Sequence, residues 1–310
     1  MKLEIVGAGM AGLLAARMLQ HRQPIVYEKQ KGLPNNHSAV LRFRTPQIGD
    51  VLGIEFKKVK MIKYALPWLN PVADALAYSY KNNQVYRSDR SVIDGLVASE
   101  RWIAPPDLIQ QMADPVRALF DTDYEFYREG AERDPNVVTV STIPMPLLMD
   151  ALQYPLRDKF LFNWMHGVNV RAAVARCDAY VSILVTDPGN PISRVSLTGN
   201  ELIVEIPGVN ASQIDADDLA REACTMLGIS SAWVENPRAV EQRYAKIAPV
   251  DDYMRKEFIH WATDKHGVFS LGRFATWRPG LLLDDLVNDV RLIDKWIASK
   301  DRGYKLARHR

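Results

Sequence analysis

Cysteine is scarce in this 310-residue chain: only Cys177 and Cys224 occur, and they lie far apart. Two such residues cannot build a disulfide framework or a thiolate zinc site, and no metal is expected. Long hydrophobic runs are also missing. The most apolar stretch, Ile5 to Met18, already contains Arg17, so no membrane partner is expected. Charge of one sign is missing too. Thirty-nine basic against thirty-seven acidic residues leave +2, which neither requires nor forbids a nucleic-acid partner. The opening Met1-Lys2-Leu3-Glu4 carries an acid and no small-residue cleavage site. With so little cysteine, the expectation is a chain without a secretory signal in the reducing cytoplasm. Repeats and low-complexity tracts are absent. What remains is 47% hydrophobic and 25% charged, an ordinary globular composition with enough length for about two domains.

The densest information lies at the amino terminus. Lys2 to Val6 has the composition of a buried strand, and Gly7-Ala8-Gly9-Met10-Ala11-Gly12 follows without a spacer. An apolar helix pattern continues through Leu19, and a second strand, Ile25-Val26-Tyr27, ends at Glu28 and Lys29. In this arrangement Gly7 permits the tight turn, Gly9 lets backbone approach a pyrophosphate, and Gly12 lets the helix pack on the sheet. The free N–H groups and positive end of that helix face the phosphates. Glu28 stands 21 positions after Gly7, where a carboxylate accepts ribose hydroxyls and repels a 2′-phosphate. The motif therefore points to a dinucleotide and disfavours NADP, leaving FAD and NAD open.

Further along, Ser38 to Thr45 carries Arg42 and Arg44, which alternation would place on one strand face. Such a pair suits an anionic group, and equally a solvated surface. A helical pattern runs from Leu108 to Phe120, and Val137 to Ser141 has the β-branched character of a central buried strand. Its polar end, Ser141-Thr142-Ile143-Pro144, suits the ligand-binding edge of a doubly wound sheet. Between 167 and 265 the pattern changes to hairpins: Tyr180–Thr186, Ile192–Thr198 and Glu201–Ile206 read as antiparallel strands joined by turns, with a helix over Ala216–Leu227. The end of the chain repeats the opening theme. A strand at Gly267–Leu271 leads into Gly272-Arg273-Phe274 and Trp277-Arg278, and a helix is expected from Leu281-Leu282-Leu283 onward. Its start could support the electron-rich edge of a flavin, which becomes negative on reduction.

The Gly7-x-Gly9-x-x-Gly12 motif with Glu28, the Ser141–Pro144 turn, the Arg194-Val195-Ser196 strand and the late Gly272-Arg273-Phe274 segment occur in similar order in two-domain FAD proteins. The chain thus resembles the group of flavin-containing amine oxidases and UDP-galactopyranose mutases. In the mutases a similar late segment opens Gly-Arg, passes an aromatic–basic pair (here Trp277-Arg278) and enters a helix beside the flavin. The tyrosine-rich run that follows in them is lacking here. In size and look the chain is also similar to bacteriophage flavoenzymes that hypermodify thymine. The resemblance implies an α/β fold: a Rossmann-type FAD-binding domain with an inserted antiparallel-sheet substrate domain. The former would comprise 1–45, 100–150 and 266–310, the latter 46–99 and 151–265.

It further implies an FAD-dependent oxidoreductase acting on a C–N bond of an amine or amino-acid moiety, including one carried on a modified thymine in DNA. A mutase-like flavin isomerase is the alternative. Expected cofactor contacts are Gly7 to Gly12, Glu28, Lys29, Arg42, Arg44, Ser141, Gly272, Arg273 and Leu281 to Leu283. Arg278, Trp277 and His37 are candidate substrate contacts, and no catalytic residue is assigned. The basic tail Lys300–Arg310 has five basic residues and one acid, suited to a phosphate backbone or simply to solvent.

Overall fold

The computed structural model of the chain describes residues 1–33, 42–67, 71–82, 96–126, 134 and 136–299. The order begins β1 (Lys2–Val6), α1 (Met10–Met18), β2 (Ile25–Tyr27), β3 (Arg42–Phe43), α2 (Gln47–Leu52) and β4 (Lys57–Leu66). It continues α3 (Pro71–Lys81), β5 (Val97–Ile103), α4 (Leu108–Ala113), β6 (Arg117–Leu119), β7 (Val137–Ser141) and α5 (Met145–Ala151). Then come β8 (Trp164–Val174), β9 (Ala179–Val185), β10 (Arg194–Gly199), β11 (Glu201–Pro207) and α6 (Ala216–Leu227). The chain closes with β12 (Val234–Ile247), α7 (Asp252–His266), β13 (Val268–Ser270) and α8 (Leu286–Ser299). No helix among the described residues is long and apolar enough to cross a membrane.

Two sheets result. The first has five strands in the order β13-β7-β1-β2-β6, and every pairing is parallel. Chain order reverses about β1, so the carboxyl ends of β1 and β7 form the crevice where doubly wound sheets bind ligands. Leu3, Ile5, Val26 and Val140 supply its core, with Leu13 and Leu14 of α1 and Val287, Val290 and Trp296 of α8 packed on it. The first and last segments thus share one core, and an ion pair from Arg22 to Asp294 (2.6 Å) joins them at the rim.

The second sheet has eight strands, β12-β8-β11-β10-β9-β4-β5-β3. All its pairs are antiparallel except β4 with β9. One face is apolar: Val170, Ile183, Val195, Leu202 and Val204 bury Ala220, Ala223 and Cys224 of α6. That helix starts where Asp215 accepts the N–H groups of Asp217 and Asp218 and stops at left-handed Gly228, a side-chain cap and a glycine terminator.

Three sequence expectations are corrected here. The helix expected over Leu108–Phe120 ends at Ala113, because Pro115 has no N–H to donate and restricts the residue before it. Residues 117–119 instead form β6, paired with β2. Arg42 and Arg44 do not share a strand, since β3 covers only Arg42 and Phe43 and Arg44 lies exposed beyond it. The final helix starts at Leu286 rather than Leu281. Leu283–Asp285 forms a tight 3₁₀ turn, in which the Asp285 carboxylate accepts the Leu282 N–H at 2.9 Å. The long strands β4, β8 and β12 are additions that the sequence patterning above did not single out.

Candidate functional site: a glycine cradle facing a cationic sheet

Val6 of β1, Ser141 of β7 and Ser270 of β13 stand side by side in register at the carboxyl edge of the first sheet. Here the glycines do separate jobs. Gly7 has φ +99, and a Cβ there would run into the Thr142 hydroxyl; a Cβ on Gly12 would overlap the Gly7 carbonyl oxygen. These two glycines are demanded by packing. Gly9 is different: its backbone is ordinary (φ −76), and a Cβ would meet nothing within 4 Å. It borders open space at the start of α1, whose N-cap makes no side-chain hydrogen bond. Uncapped N–H groups beside open space suit a phosphate.

Gly272 enters the same loop from the other end of the chain, at φ +99, where a Cβ would lie 3.1 Å from Ala11 Cβ. The Oγ atoms of Ser141 and Ser270 and Nε of Arg273 are buried without a hydrogen-bond partner among the described residues. Orphaned buried polar atoms are costly, so Ser141 at the end of β7 and Arg273 just past Gly272 mark places where a polar ligand would complete the structure. Glu28 sits at the tip of β2. Its Oε2 accepts the Ala8 N–H at 2.7 Å and its Oε1 the Gln30 N–H at 2.9 Å, which leaves lone pairs for ribose hydroxyls. These residues fit a dinucleotide.

The other expected contacts divide. Lys29 turns away into a surface ion pair with Asp123. Trp277 is in the core: it is 1% exposed, its indole N–H donates to the Ala248 carbonyl at 2.9 Å, and Phe162 packs on it edge-on at 4.7 Å. Arg278 is tied to Asp289 at 2.6 Å and lines a small cavity with Arg255, His260 and Ser270. Leu281–Leu283 precede the helix they were expected to open, and Asp284 beside them accepts the backbone N–H groups of Arg44 and Thr45 at 2.9 and 3.0 Å. That link brings the end of β3 to the loop before α8. His37 and the tail Lys300–Arg310 lie outside the described residues. Among the described residues, no group of three His, Cys, Asp or Glu could hold a metal ion.

The second face of the eight-stranded sheet was not anticipated. The registers Val59↔Arg101, Lys57↔Ile103 and Arg42↔Ile103 place Arg42 and Arg101 on the same side as Met61 and Lys63. Lys63 is opposite Ser182, Ser182 is opposite Ser196, and Arg194 is opposite Glu205. One continuous face thus carries Arg42, Arg101, Lys63, Arg194 and Glu205 with two buried serines between them. Glu205 already serves two cations, Arg194 and Lys246. Burial, then Arg101, Arg42, Arg194 and Arg44, pushes the Lys63 ammonium down to about 8. Burial likewise pushes Arg42 to about 9, with Arg194 and Arg101 adding and Glu205 opposing. Burial lowers Arg273 as well, with Glu205 opposing and Arg194 adding. Arg273 therefore lies within electrostatic reach of this face, which ties the sheet to the Gly272 loop. The signal for β4 was legible in 57–66, where Val59 and Met61 alternate with Lys58 and Lys60 and Ala65 continues the same side; Lys63 breaks that apolar side.

No sequence-family model matches this chain, and comparison with curated proteins finds no relative. Solved structures do match. Reduced UDP-galactopyranose mutase superposes with a TM-score of 0.65 at 13% identity, covering 96% of this chain and 96% of the mutase. Aklavinone-11 hydroxylase, solved with FAD and aklavinone, gives 0.51 at 11% identity over 96% of this chain and 62% of that one. An FAD-dependent oxidoreductase from Pseudomonas aeruginosa gives 0.51 at 15% identity, over 96% and 91%. The chain accordingly shares the Rossmann-type fold seen in these flavoenzymes, a parallel sheet accompanied by a second, mostly antiparallel one.

Proposed function

We propose that this chain is an FAD-dependent oxidoreductase that oxidises a carbon–nitrogen bond of an amine or amino-acid moiety. The observation that supports FAD most strongly is the meeting of Gly272 with Ala11 at the glycine loop, beside three buried polar atoms without partners. In this reading residues 1–45, 100–150 and 266–310 form the cofactor domain, and 46–99 and 151–265 the domain facing the substrate. Gly9 and the uncapped start of α1 hold the pyrophosphate, Glu28 the adenosine ribose, and Ser141, Ser270 and Arg273 the polar atoms further along.

FAD, when bound, supplies a two-electron acceptor for the hydride on the carbon beside a neutral amine. Loss of that hydride and the N–H proton leaves an imine, which water hydrolyses to a carbonyl compound and a free amine. Dioxygen is the terminal acceptor. Abstraction from a neutral amine needs no protein base, consistent with a site built from glycines, serines and arginines. The amine borne on a modified thymine in DNA is the finer form of this proposal, supported by resemblance in size to the phage enzymes.

Two measurements test it. The purified protein reconstituted with FAD should turn yellow and keep the colour through gel filtration, and an amine or aminoacylated thymidine should bleach it anaerobically. Protein that stays colourless refutes the cofactor; a flavin that no amine bleaches refutes the reaction. Gly9→Val sharpens the first result. Its backbone tolerates the change and its Cβ meets no protein atom, so the fold should persist while FAD affinity falls at least about 100-fold. The end-to-end likeness to UDP-galactopyranose mutase supports a second reading, a flavin isomerase without net oxidation. Interconversion of UDP-sugars by the reduced protein would establish it.

A further inference from the structure

We infer that the polar face of the eight-stranded sheet is a substrate site for an oxyanion carrying at least two negative charges, held by Arg42, Lys63 and Arg101 with Arg194 behind them. Register puts these residues on one side of strands β3, β4, β5 and β10. Along the strands Arg101 pairs with Val59 and Arg42 with Ile103, yet the Arg42 guanidinium reaches over to the Met61 sulfur at 3.1 Å, two residues from Lys63, so these long side chains converge toward a common ligand.

The count of charges decides what that ligand is. Two carboxylates act near the cluster: Glu205, engaged by Arg194 and Lys246, and Asp284, which lies within electrostatic reach of Arg101 but accepts the Arg44 and Thr45 N–H groups. Among the described residues, Arg42 finds only the Met61 sulfur, at 3.1 Å, and Arg101 only the neighbouring Glu100 carbonyl, at 2.5 Å. Lys63 has no hydrogen bond or ion pair among them. Three half-buried cations without carboxylate partners repel one another, and the depressed values of Lys63 and Arg42 register that repulsion together with burial. An ordinary surface would disperse such charges into water. Here the sheet holds them on one face, with buried Ser182 and Ser196 beside Lys63 and Arg273 of the Gly272 loop within electrostatic reach of Arg194 and Glu205. Guanidinium pairs bind phosphate and carboxylate oxygens bidentately, so either a diphosphate or a dicarboxylate matches the chemistry. As a substrate site, the assignment rests on the flavoenzyme reading; as an anion site it stands separately.

The test uses FAD-loaded protein, so that the glycine loop is occupied, and thermal unfolding at constant ionic strength. Inorganic pyrophosphate and succinate are added separately, with sodium chloride as reference. At least one dianion should raise the melting temperature by several degrees, and whichever does so identifies the source. Lys63→Met and Arg101→Met should each weaken that anion about tenfold while FAD absorbance per protein stays at the wild-type level. The inference is overturned if neither anion acts beyond chloride, if its affinity survives both substitutions, or if both variants lose FAD instead, which would assign the cluster to the cofactor. If the wild type fails to hold FAD yet still binds a dianion through Lys63, the cofactor reading falls and the anion site remains.

Discussion

The two faces of the eight-stranded sheet are built from alternate residues of the same strands, and they do opposite things. On one side Val170, Val195, Leu202 and Val204 are almost fully buried against α6. On the other, Arg42, Lys63, Arg101, Arg194 and Glu205 stand with Ser182 and Ser196. Removing apolar area from water drives folding. Confining like charges at a half-buried face opposes it, and a fold retains such an arrangement when function needs it. The sheet therefore gains stability through α6 and gives up part of it on the side facing the Gly272 loop.

The largest expected effect breaks the apolar face alone. Leu202 is fully buried between β8 and β10, so Leu202→Ala should cost about 3 kcal/mol of unfolding free energy. Urea denaturation should record that loss, while dianion affinity under conditions where the variant is folded stays unchanged. A change in anion affinity would mean the two faces are coupled. Glu205→Gln comes next. It leaves Arg194 and Lys246, with side chains 31% and 15% exposed, without their shared carboxylate. Breaking one partner of such a cluster should cost about 2 kcal/mol. Unlike Leu202→Ala, it should also tighten dianion binding, because the competing negative charge is gone.

This division of labour was half legible in the sequence. The glycine turn could be derived from Gly7, Gly9, Gly12 and Glu28 because its parts are adjacent in sequence and each has a local steric or hydrogen-bonding reason. Its closure by Gly272 was legible from a second strand–glycine–loop segment. The cationic face was not, since Arg42, Lys63, Arg101 and Arg194 are brought together only by the order β3-β5-β4-β9-β10, which no local pattern encodes. Trp277 misled for the same reason. An aromatic beside a basic residue in a glycine-rich loop resembles a ligand contact, whereas the fold seats its indole on Ala248 among Phe162 and Trp164. Arg42 and Arg44 show the limit of alternation: the strand lasts two residues, and Asp284 captures the backbone just beyond it.

The smallest effect has the most informative sign. Lys63 is drawn down from 10.5 to about 8 by burial and by Arg101, Arg42, Arg194 and Arg44. Met61 and Ser182 flank it on the same face, and Glu205 lies beyond Arg194. The unfolded chain thus binds the Lys63 proton more tightly than the folded one. Below pH 8 both forms are protonated and the folded state carries the full penalty. Between about pH 8 and 10.5 the unfolded state holds more protons, so this residue's contribution to stability rises with pH. Solvent screening of a half-buried group reduces the penalty to about 1 kcal/mol. Lys63→Met should therefore raise the melting temperature at pH 7 by about 2 °C, and the gain should shrink as the pH passes 8. Dianion binding by the wild type should move the other way, weakening over the same interval as the ammonium is lost. A Lys63→Met variant that is less stable than the wild type at pH 7 would show that the cations of this face are already balanced without a ligand.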